Sequence, residues 1–452
     1  MSQTLEQEHN QNTTLKQIRH AIDEGLFLHV RQILSELSPA DIADVLESVP
    51  PKVRDAVWQL IPESRQGDIL NELAEEVRAD ILSEMQAAEV AAAIEGQDTD
   101  DIADILGELP EQLYHQVLAA MSEQDRQRVA SVLDYPEDTA GGLMNTDTVT
   151  VRANVELEVV LRYLRMRGEL PEKTDVLYVV DRNDHLLGAL PLAFVVTKDP
   201  STLVADCMVE AHAIPADMPA SEVAHAFEKY DWLSAPVVNE QNQLLGRVTV
   251  DDVVDVIIED ADQSLMNMAG LDEDEHTFAP ATETAKKRAV WLGINLVTAF
   301  MAAMVSNLFE DTLDKLAAVA VLMTIVPSMG GIAGSQTLTI VIRGMALGQI
   351  SDANSRWLVI KELIVGLLNG LLWAAVTGII VAFWKESLEL GAIIAAAMFI
   401  NLIVAAIVGA LLPLAMKKFG IDPAVAGGVV LTTVTDVVGL FSFLALATWL
   451  LL

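Results

Sequence analysis

The chain changes character near residue 280, from strongly acidic to strongly apolar. Residues 1–280 hold 55 of the 65 acidic residues but only 18 of the 28 basic ones, so they carry the entire formal net charge of −37. The remainder has ten acidic and ten basic residues among long apolar runs. Such runs are typical of membrane spans, whereas a surface this acidic needs water. The division therefore predicts a multi-domain membrane protein with a separate soluble half.

The charge of the soluble half also narrows its partners and its location. Surfaces that recognise nucleic acid are basic, so no nucleic acid is expected to bind here. Residues 1–14 are polar, predict a disordered N-terminus and contain no apolar core of a signal peptide. We therefore expect the soluble half to stay in the cytosol.

Residues 15–136 predict an all-α, superhelical N-domain. Apolar residues recur at helical spacing, and the prolines at 39, 50, 51, 62 and 110 divide the segment into helices of about 10 to 15 residues. The run from Asp41 to Pro50 (DIADVLESVP) returns at Asp101 to Pro110 (DIADILGELP). Repeats of this kind stack pairs of helices on one another.

Residues 137–262 change to short strands alternating with helices. The run from Val179 to Gly188 (VVDRNDHLLG) returns 58 residues later at Val237 to Gly246 (VVNEQNQLLG). Together with the segment AGGLM at Ala140, this pattern resembles a tandem pair of CBS domains, an α/β module that regulates rather than catalyses. The copies are predicted at 137–199 and 200–262.

Residues 263–288 are predicted to form a connecting helix between the two halves. The acidic run Asp272–Glu275 within it favours a solvated linker. Five apolar stretches of spanning length then follow, near 289–309, 316–342, 357–383, 390–415 and 425–451. Basic residues cluster before the first stretch and in alternate loops, so the positive-inside rule places the N-terminus in the cytosol and the C-terminus outside. A multi-pass protein of the cell's inner membrane, in contact with lipid, is the prediction.

Asp436 is the most informative residue of the apolar half, because it lies within the last stretch with no basic residue beside it. A carboxylate in lipid costs roughly 3 kcal/mol or more, and such residues mark pathways for ions or protons. Thr432, Thr433 and Thr435 add hydroxyl oxygens, and hard cations such as Mg²⁺ prefer oxygen ligands. The alternative is a protonated Asp436 that bonds a neighbouring helix.

The second stretch contains a proline and three glycines between Pro327 and Thr337 (PSMGGIAGSQT). Such residues break a membrane helix, freeing carbonyls for an ion, or let helices pack closely. Gly366 and Gly370 in the third stretch favour helix packing or a dimer contact.

In this order and topology the chain resembles the MgtE family of magnesium channels over nearly its whole length. The most specific matches are the glycines at Gly330, Gly331 and Gly334 with Gln336, the run from Gly420 to Pro423, and Thr435-Asp436 with Gly439. The resemblance implies a homodimeric Mg²⁺-selective channel for magnesium uptake. In such a channel Asp436 is the pore carboxylate, with Thr432, Gly330, Gly331, Gly334 and Gln336 lining the pore.

The resemblance also implies that cytosolic Mg²⁺ closes the channel by binding between the N-domain, the CBS pair and the connecting helix. Carried over residue by residue, the sensor and gate comprise Asp68, Asp100, Asp104, Asp231, Asp252, Asp255, Asp260 and Asp422. Mutual repulsion of these acids then opens the channel, and bound cations close it. This mechanism gives the net charge of −37 a function.

Two places in the sequence, comprising three residues, depart from the family pattern. Ile332 follows the paired glycines, where the family usually has Asn. Gln263 and Ser264 occupy positions of the connecting helix that are often acidic in the family. CBS pairs often bind adenosine nucleotides, and Thr249 with Asp252 forms a Thr-x-x-Asp pattern that suits a ribose of ATP. The first copy has Pro191, Ala193 and Phe194 in the corresponding place.

Two alternatives remain from the sequence. One is a transporter or exchanger for another divalent cation such as Mn²⁺ or Co²⁺, although the stretches contain neither Cys nor His, which softer ions favour. The other is a membrane-anchored CBS regulatory protein, for which Asp436 would have no use. No nucleophile–base pair, phosphate-binding loop or HExxH motif is present, so an enzyme is not expected.

Overall fold

The computed structural model describes residues 16–18, 20–22, 24–271, 277–279, 281–347, 349–351 and 353–452. They form two compact units that divide between Ala261 and Asp262, with residues 277–279 belonging to the first. The predicted disordered segment 1–14 and the acidic run 272–275 lie outside the described residues.

The first unit begins with short helices and one 3₁₀ turn, Glu63–Arg65. The helices are α1 Phe27–Glu36, α2 Pro39–Glu47, α3 Pro51–Trp58, α4 Gln66–Glu72, α5 Glu75–Glu84, α6 Ala87–Ala93, α7 Thr99–Gly107, α8 Glu111–Ala120 and α9 Glu123–Leu133. Most are shorter than the sequence predicted, because the chain stops and restarts at strong N-terminal signals. Pro39 and Pro51 occupy the first helical position, and Ser38 forms a capping box with Asp41.

The rest of the first unit contains two small mixed sheets with matching topology. The strands are β1 Thr150–Val151, β2 Val176–Val180 and β3 Leu186–Pro191 in one sheet, and β4 Ile214–Pro215, β5 Ser234–Val238 and β6 Leu244–Thr249 in the other. In each sheet the first pair is parallel and the second antiparallel. The helices are α10 Leu157–Arg167, α11 Leu192–Thr197, α12 Val204–Cys207, α13 Ala220–Tyr230 and α14 Val250–Ala269, of which the residues from Asp262 onward belong to the second unit.

The two copies of the strand repeat are joined by reciprocal backbone hydrogen bonds. The amide of Leu186 donates to the carbonyl of Asn242, and the amide of Leu244 donates to that of Asp184, each at 2.9 Å. The glycine segment ahead of the first copy joins the second sheet, where the amides of Ala140 and Gly141 donate to the β4 region. The internal repeat therefore builds one pseudo-symmetric pair, which confirms the predicted α/β tandem beside the helical N-domain.

Among the described residues of the second unit, five helical segments are long and apolar enough to cross a membrane, which confirms the predicted number. Its helices are α15 Ala281–Asn307, α16 Glu310–Lys315, α17 Ala317–Leu322, α18 Ile325–Ala346, α19 Ser355–Trp384, α20 Leu388–Lys418 and α21 Pro423–Leu451. The spans are Thr284–Asn307, Ala317–Ala346 (α17 with α18), Ser355–Trp384, Leu388–Lys418 and Pro423–Leu451. The fourth span is the most buried and forms the centre of the unit.

Glycines let the spans approach one another closely. A Cβ on Gly366 would lie 2.6 Å from Cβ of Ala406, and one on Gly370 would lie 3.1 Å from the ring of Phe399. Both contacts join the third span to the fourth within one chain. The small-residue pattern of the third span is therefore used for intrachain packing.

Candidate cation sites

An acidic cluster lies at the start of α7 in the first unit. Ligand oxygens of Asp98, Asp100 and Asp101 lie within 4.8 Å of one another. Asp100 is 7% exposed, and its buried Oδ1 has no hydrogen-bond partner among the described residues. Buried polar atoms normally have partners, so this oxygen is a place where a ligand is expected.

The internal repeat explains how the cluster arises from the sequence. In the first copy α2 begins with Ser38, Pro39 and Ala40, and Ser38 caps the helix. In the second copy the corresponding positions are Asp98, Thr99 and Asp100, and the Asp98 side chain makes no capping bond. In the second copy, the capping serine of the first copy is therefore replaced by an aspartate, and several carboxylates lie together at the start of α7.

Asp252 approaches this cluster from the start of α14. Its Oδ2 accepts hydrogen bonds from the Thr249 amide at 3.2 Å and from the Thr249 hydroxyl at 2.8 Å, which fixes its orientation. We call Asp98, Asp100, Asp101 and Asp104 on the N-domain, with Asp252 and Asp255 on α14, the acidic face.

Several carboxyl groups of the acidic face hold their protons unusually tightly. Burial, followed by the charge of Asp252, raises the pKa of Asp100 well above its ordinary value. Burial also raises the pKa of Asp101, Asp104 and Asp252 to about 7, with neighbouring carboxylates adding to the effect. The cause is the same in each case: a charge leaves water and meets other negative charges. The face is therefore built to gain stability from positive charge.

Two basic side chains contribute to the charge of the face. Nε of Arg78 on α5 donates to Glu108 Oε1 at 2.7 Å, and its charge lowers the pKa of Asp101 and Asp104 against the effect of burial. Lys173, from the loop before β2, forms an ion pair with Asp251. These cations offset only part of the negative charge.

The remaining residues predicted for the sensor lie in different surroundings. Asp68 is exposed and accepts from Nε2 of Gln97 at 2.9 Å; Asn71 links Gln97 onward to Asp101 at 2.8 Å. Asp255 and Asp260 are exposed on α14, and burial of part of each carboxylate raises their pKa. Asp231 is exposed and ends α13 with a left-handed backbone, φ +54°.

Asp422 caps the fifth span. Its Oδ1 accepts from the Ala424 amide at 2.8 Å, and Pro423 occupies the first helical position. Its Oδ2 accepts from Nδ2 of Asn267 at 3.3 Å, near the end of α14. The residue thus ties the end of α14 to the start of α21.

Asp436 lies half-buried near the middle of α21. Its carboxylate makes no hydrogen bond or ion pair with any residue that the structure describes, and Thr432 lies one turn earlier on the same face, exposed. The Thr432 hydroxyl donates to the Gly428 carbonyl at 2.9 Å, which leaves its oxygen free to accept. Thr435 is buried, with its hydroxyl bonded to its own helix.

The residues of the second span that were predicted to line a pore differ in their exposure. Gly330 and Gly334 are buried, and a Cβ at Gly334 would lie 2.9 Å from Leu431 of the fifth span. Gly331 is half-buried and Gln336 is exposed. Ile332 is 56% exposed. The second and fifth spans therefore pack through small residues immediately beside Asp436.

The sequence reasoning missed several members of these sites. Asp101 stood in the repeated run DIAD, and comparing the two copies also reveals Asp98. Arg78 and Lys173 carried no signal, because their partners are far away in sequence. Asn401 of the fourth span, fully buried, was also missed.

The donors of the acidic face fit a hard divalent cation. They are carboxylate oxygens, which Mg²⁺ and Ca²⁺ prefer, and several belong to groups whose ionised form is disfavoured without added positive charge. The orphan oxygen of Asp100 supplies a buried acceptor at the centre.

Comparison with known families supports a transport protein. A family model described as a divalent cation transporter (MgtE) matches residues 323–446, one for the MgtE intracellular N domain matches 37–138, and a CBS domain model matches 204–259. The three matches follow the order of the architecture described above.

Individual relatives give the same result. The chain is 29% identical over 427 residues to a magnesium transporter MgtE of Bacillus subtilis (strain 168), covering 94% of each chain. It is 32% identical over 321 residues to one of Enterococcus faecalis (strain ATCC 700802 / V583), covering 71% of each. A crystal structure of the cytosolic domain of the Mg²⁺ channel MgtE in complex with ATP aligns with a TM-score of 0.50 and 31% identity, over 54% of this chain and 99% of that one.

Proposed function

This chain belongs to the MgtE family of magnesium transporters, and we propose that it is a Mg²⁺-selective channel closed by cytosolic Mg²⁺ at the acidic face. The observation that carries the gating proposal is the buried carboxylate of Asp100 beside Asp252, with an oxygen left unpartnered. Without a cation the carboxylates of α7 and α14 repel each other, which favours separation. With a divalent cation between their oxygens, the two helices hold together.

The permeation pathway that we propose passes Asp436. Its support is a half-buried carboxylate without a protein partner, beside the exposed Thr432 and the glycine-packed second span. A carboxylate with hydroxyl acceptors suits a cation that keeps several of its waters, as Mg²⁺ does. Cys and His are absent from the spans in the sequence, so the alternatives Mn²⁺ and Co²⁺ lack their preferred softer ligands.

We also propose a homodimer in the cell's inner membrane, with the soluble half in the cytosol and the C-terminus outside. Asp436 supports the dimer, because one carboxylate per subunit binds a hydrated ion better when a second copy faces it. The basic residues at the ends of alternate spans support the orientation.

Uptake into liposomes tests channel transport directly. The purified full-length protein is reconstituted with a Mg²⁺-sensitive dye inside, with or without a proton or Na⁺ gradient. Passive conduction predicts Mg²⁺ entry driven by its own gradient alone. Entry that requires a second ion gradient would identify an exchanger, and no entry would favour a membrane-anchored regulatory protein.

ATP binding to the CBS pair is proposed as a second ligand interaction. Its support is the similar cytosolic domain solved with ATP, together with the Thr249 and Asp252 pattern. The Thr249 hydroxyl already donates to Asp251 at 2.5 Å and Asp252 at 2.8 Å. Since Asp252 also belongs to the acidic face, ATP titrated calorimetrically with and without Mg²⁺ tests whether the two ligands share it.

The acidic face predicts a specific pH dependence. The raised pKa values mean that the folded state holds protons that the unfolded state has released, so stability without Mg²⁺ should fall as pH rises from about 4 to about 7. Mg²⁺ displaces those protons, so its apparent affinity should rise with pH, by roughly tenfold per unit for each displaced proton below pH 7. Thermal unfolding at pH 6 and pH 8, with Mg²⁺ titrated at constant ionic strength, checks both. Equal Mg²⁺ affinity at the two pH values would contradict the assignment.

Lys173 should act as a built-in counter-ion of the acidic face. Its ammonium pairs with Asp251, and its charge lowers the pKa of Asp101 and Asp255 against burial. We expect Lys173→Met to increase protease sensitivity of the soluble half in Mg²⁺-free buffer, by several-fold in cleavage rate, and Mg²⁺ to restore wild-type protection. Lys52→Met, at an exposed position of α3, is the matched control. Unchanged cleavage in the Lys173 variant would show that the lysine has no such role.

A further inference from the structure

Asn401 is a polar residue at the centre of the membrane unit. It is 0% exposed on the fourth span, and its Nδ2 donates to the backbone carbonyl of Val326 at 2.8 Å. Its Oδ1 is buried without a hydrogen-bond partner among the residues described. Polar groups inside membrane proteins are expensive, so they are retained where they have a function. Apolar packing alone would be served better by a leucine.

The amide of Asn401 fills a notch between two other spans. A Cβ on Gly330 of the second span would lie 2.1 Å from Nδ2 and 2.8 Å from Cγ of Asn401. A Cβ on Gly439 of the fifth span would lie 2.9 Å from the same nitrogen and 3.1 Å from Cα of Pro327. We call Gly330, Gly439 and the backbone of Val326 and Pro327 the glycine notch. Only glycines leave room there for a side-chain amide.

The hydrogen bond reaches the point where the second span is interrupted. Helix α17 ends at Leu322 and α18 begins at Ile325, with Pro327 in its first turn. Proline is tolerated in a first turn, because the N–H groups there have no acceptor within the helix. The donor of Asn401 at the Val326 carbonyl supplies a contact from another helix and fixes the start of α18.

The other wall of the notch belongs to the helix that carries Asp436. Gly439 lies three residues after Asp436, about one turn further along α21. Gly331, beside Gly330, faces the Thr435 hydroxyl, 3.9 Å from where its Cβ would be. Asn401 therefore touches both the interrupted turn of the second span and the segment that presents Asp436.

We infer that Asn401 is a positioning residue of the cation pathway. Through the glycine notch, its amide sets the position of α21 at Asp436 against the start of α18. The inference rests on the proposal that cations pass Asp436. Displacing the amide changes the geometry of the pathway, and therefore the Mg²⁺ concentration at half-maximal flux, in protein that is still folded.

A double-mutant cycle of G330A and N401A tests this. The atoms nearest to the added methyl all belong to Asn401, so N401A makes room for it. We expect G330A alone to shift half-saturating Mg²⁺ for liposome uptake about tenfold, N401A several-fold, and the double variant no further than N401A. Multiplicative effects of the two single changes would overturn the inference.

Two controls separate a positioning role from general instability. Gly293 of the first span has nothing within 4 Å of an added Cβ, and Asn295 is exposed on the same span, so G293A and N295A should leave half-saturation unchanged. Fluxes are measured per folded protein, quantified by size-exclusion chromatography. If G330A does not fold, N401A decides alone, since unchanged half-saturation in its folded fraction overturns the inference.

The same assay distinguishes this inference from the proposed function. Full transport by D436N would remove the pathway proposal and the inference with it. Loss of transport in D436N, together with independent effects of G330A and N401A, would remove the role of Asn401 alone.

Discussion

Asp436→Asn should reduce Mg²⁺ flux about 100-fold while the protein still folds. Asn has the same shape, so the packing of α21 is kept, but the negative charge is lost. A hydrogen bond that a carboxylate accepts from a water of the hydrated cation contributes up to roughly 3 kcal/mol, and every 1.4 kcal/mol is tenfold in an equilibrium constant. The half-buried carboxylate has no partner among the described residues, so the substitution leaves no buried polar group of those residues without a hydrogen bond.

The measurement is dye-monitored uptake into liposomes containing equal amounts of folded wild type, D436N and a control. D311N is a suitable control, because Asp311 is an exposed acid of α16, between the first and second spans. The control should transport as wild type does. Flux in D436N within about threefold of wild type would exclude Asp436 from the pathway.

The double variant D100N/D252N should lose most of the stabilisation that Mg²⁺ gives to the soluble half. A ligand at 100 times its dissociation constant stabilises a site by about 2.7 kcal/mol, which for a domain this size corresponds to a Tm increase of roughly 5 to 10 °C. The variant removes ligand oxygens from both sides of the acidic face, so we expect a shift below about 2 °C.

The same variant should be more stable than wild type in Mg²⁺-free buffer at pH 8. At that pH the wild-type carboxylates are ionised against their raised pKa values, and their mutual repulsion opposes docking of α7 on α14. Thermal unfolding of the full-length protein in detergent, followed at constant ionic strength, reports both effects. D134N/D217N, two exposed acids elsewhere in the first unit, is the matched control. A Mg²⁺ shift of wild-type size in D100N/D252N would contradict the assignment.

Much of this architecture follows from patterns that are local in sequence. Three of these patterns can be read within short segments of the chain. They are the change of composition near residue 280, the five apolar stretches, and the run that returns 58 residues later. Asp436 was recognisable for the same reason, since a carboxylate in an apolar stretch is unusual wherever its neighbours lie. The helix boundaries of the N-domain were less accurate, because helices also end and restart between prolines, as at the Ser122 cap of α9.

The features that the sequence did not reveal depend on partners far apart in the chain. Lys173 is 78 residues from Asp251, and Asn401 is 75 residues from Val326. A lone asparagine in an apolar stretch gives no indication of the two glycines that face it. The orphan oxygen of Asp100 likewise became evident only when α7 was seen packed and buried.

The most direct test of a cation pathway closed by the acidic face is current in inside-out membrane patches. The cytosolic side is switched between Mg²⁺-free solution and several millimolar Mg²⁺ at constant ionic strength. We predict current that falls reversibly as Mg²⁺ is added, and current that persists in D100N/D252N. Wild-type current that is unaffected by cytosolic Mg²⁺, or equal closure of wild type and variant, would contradict the account.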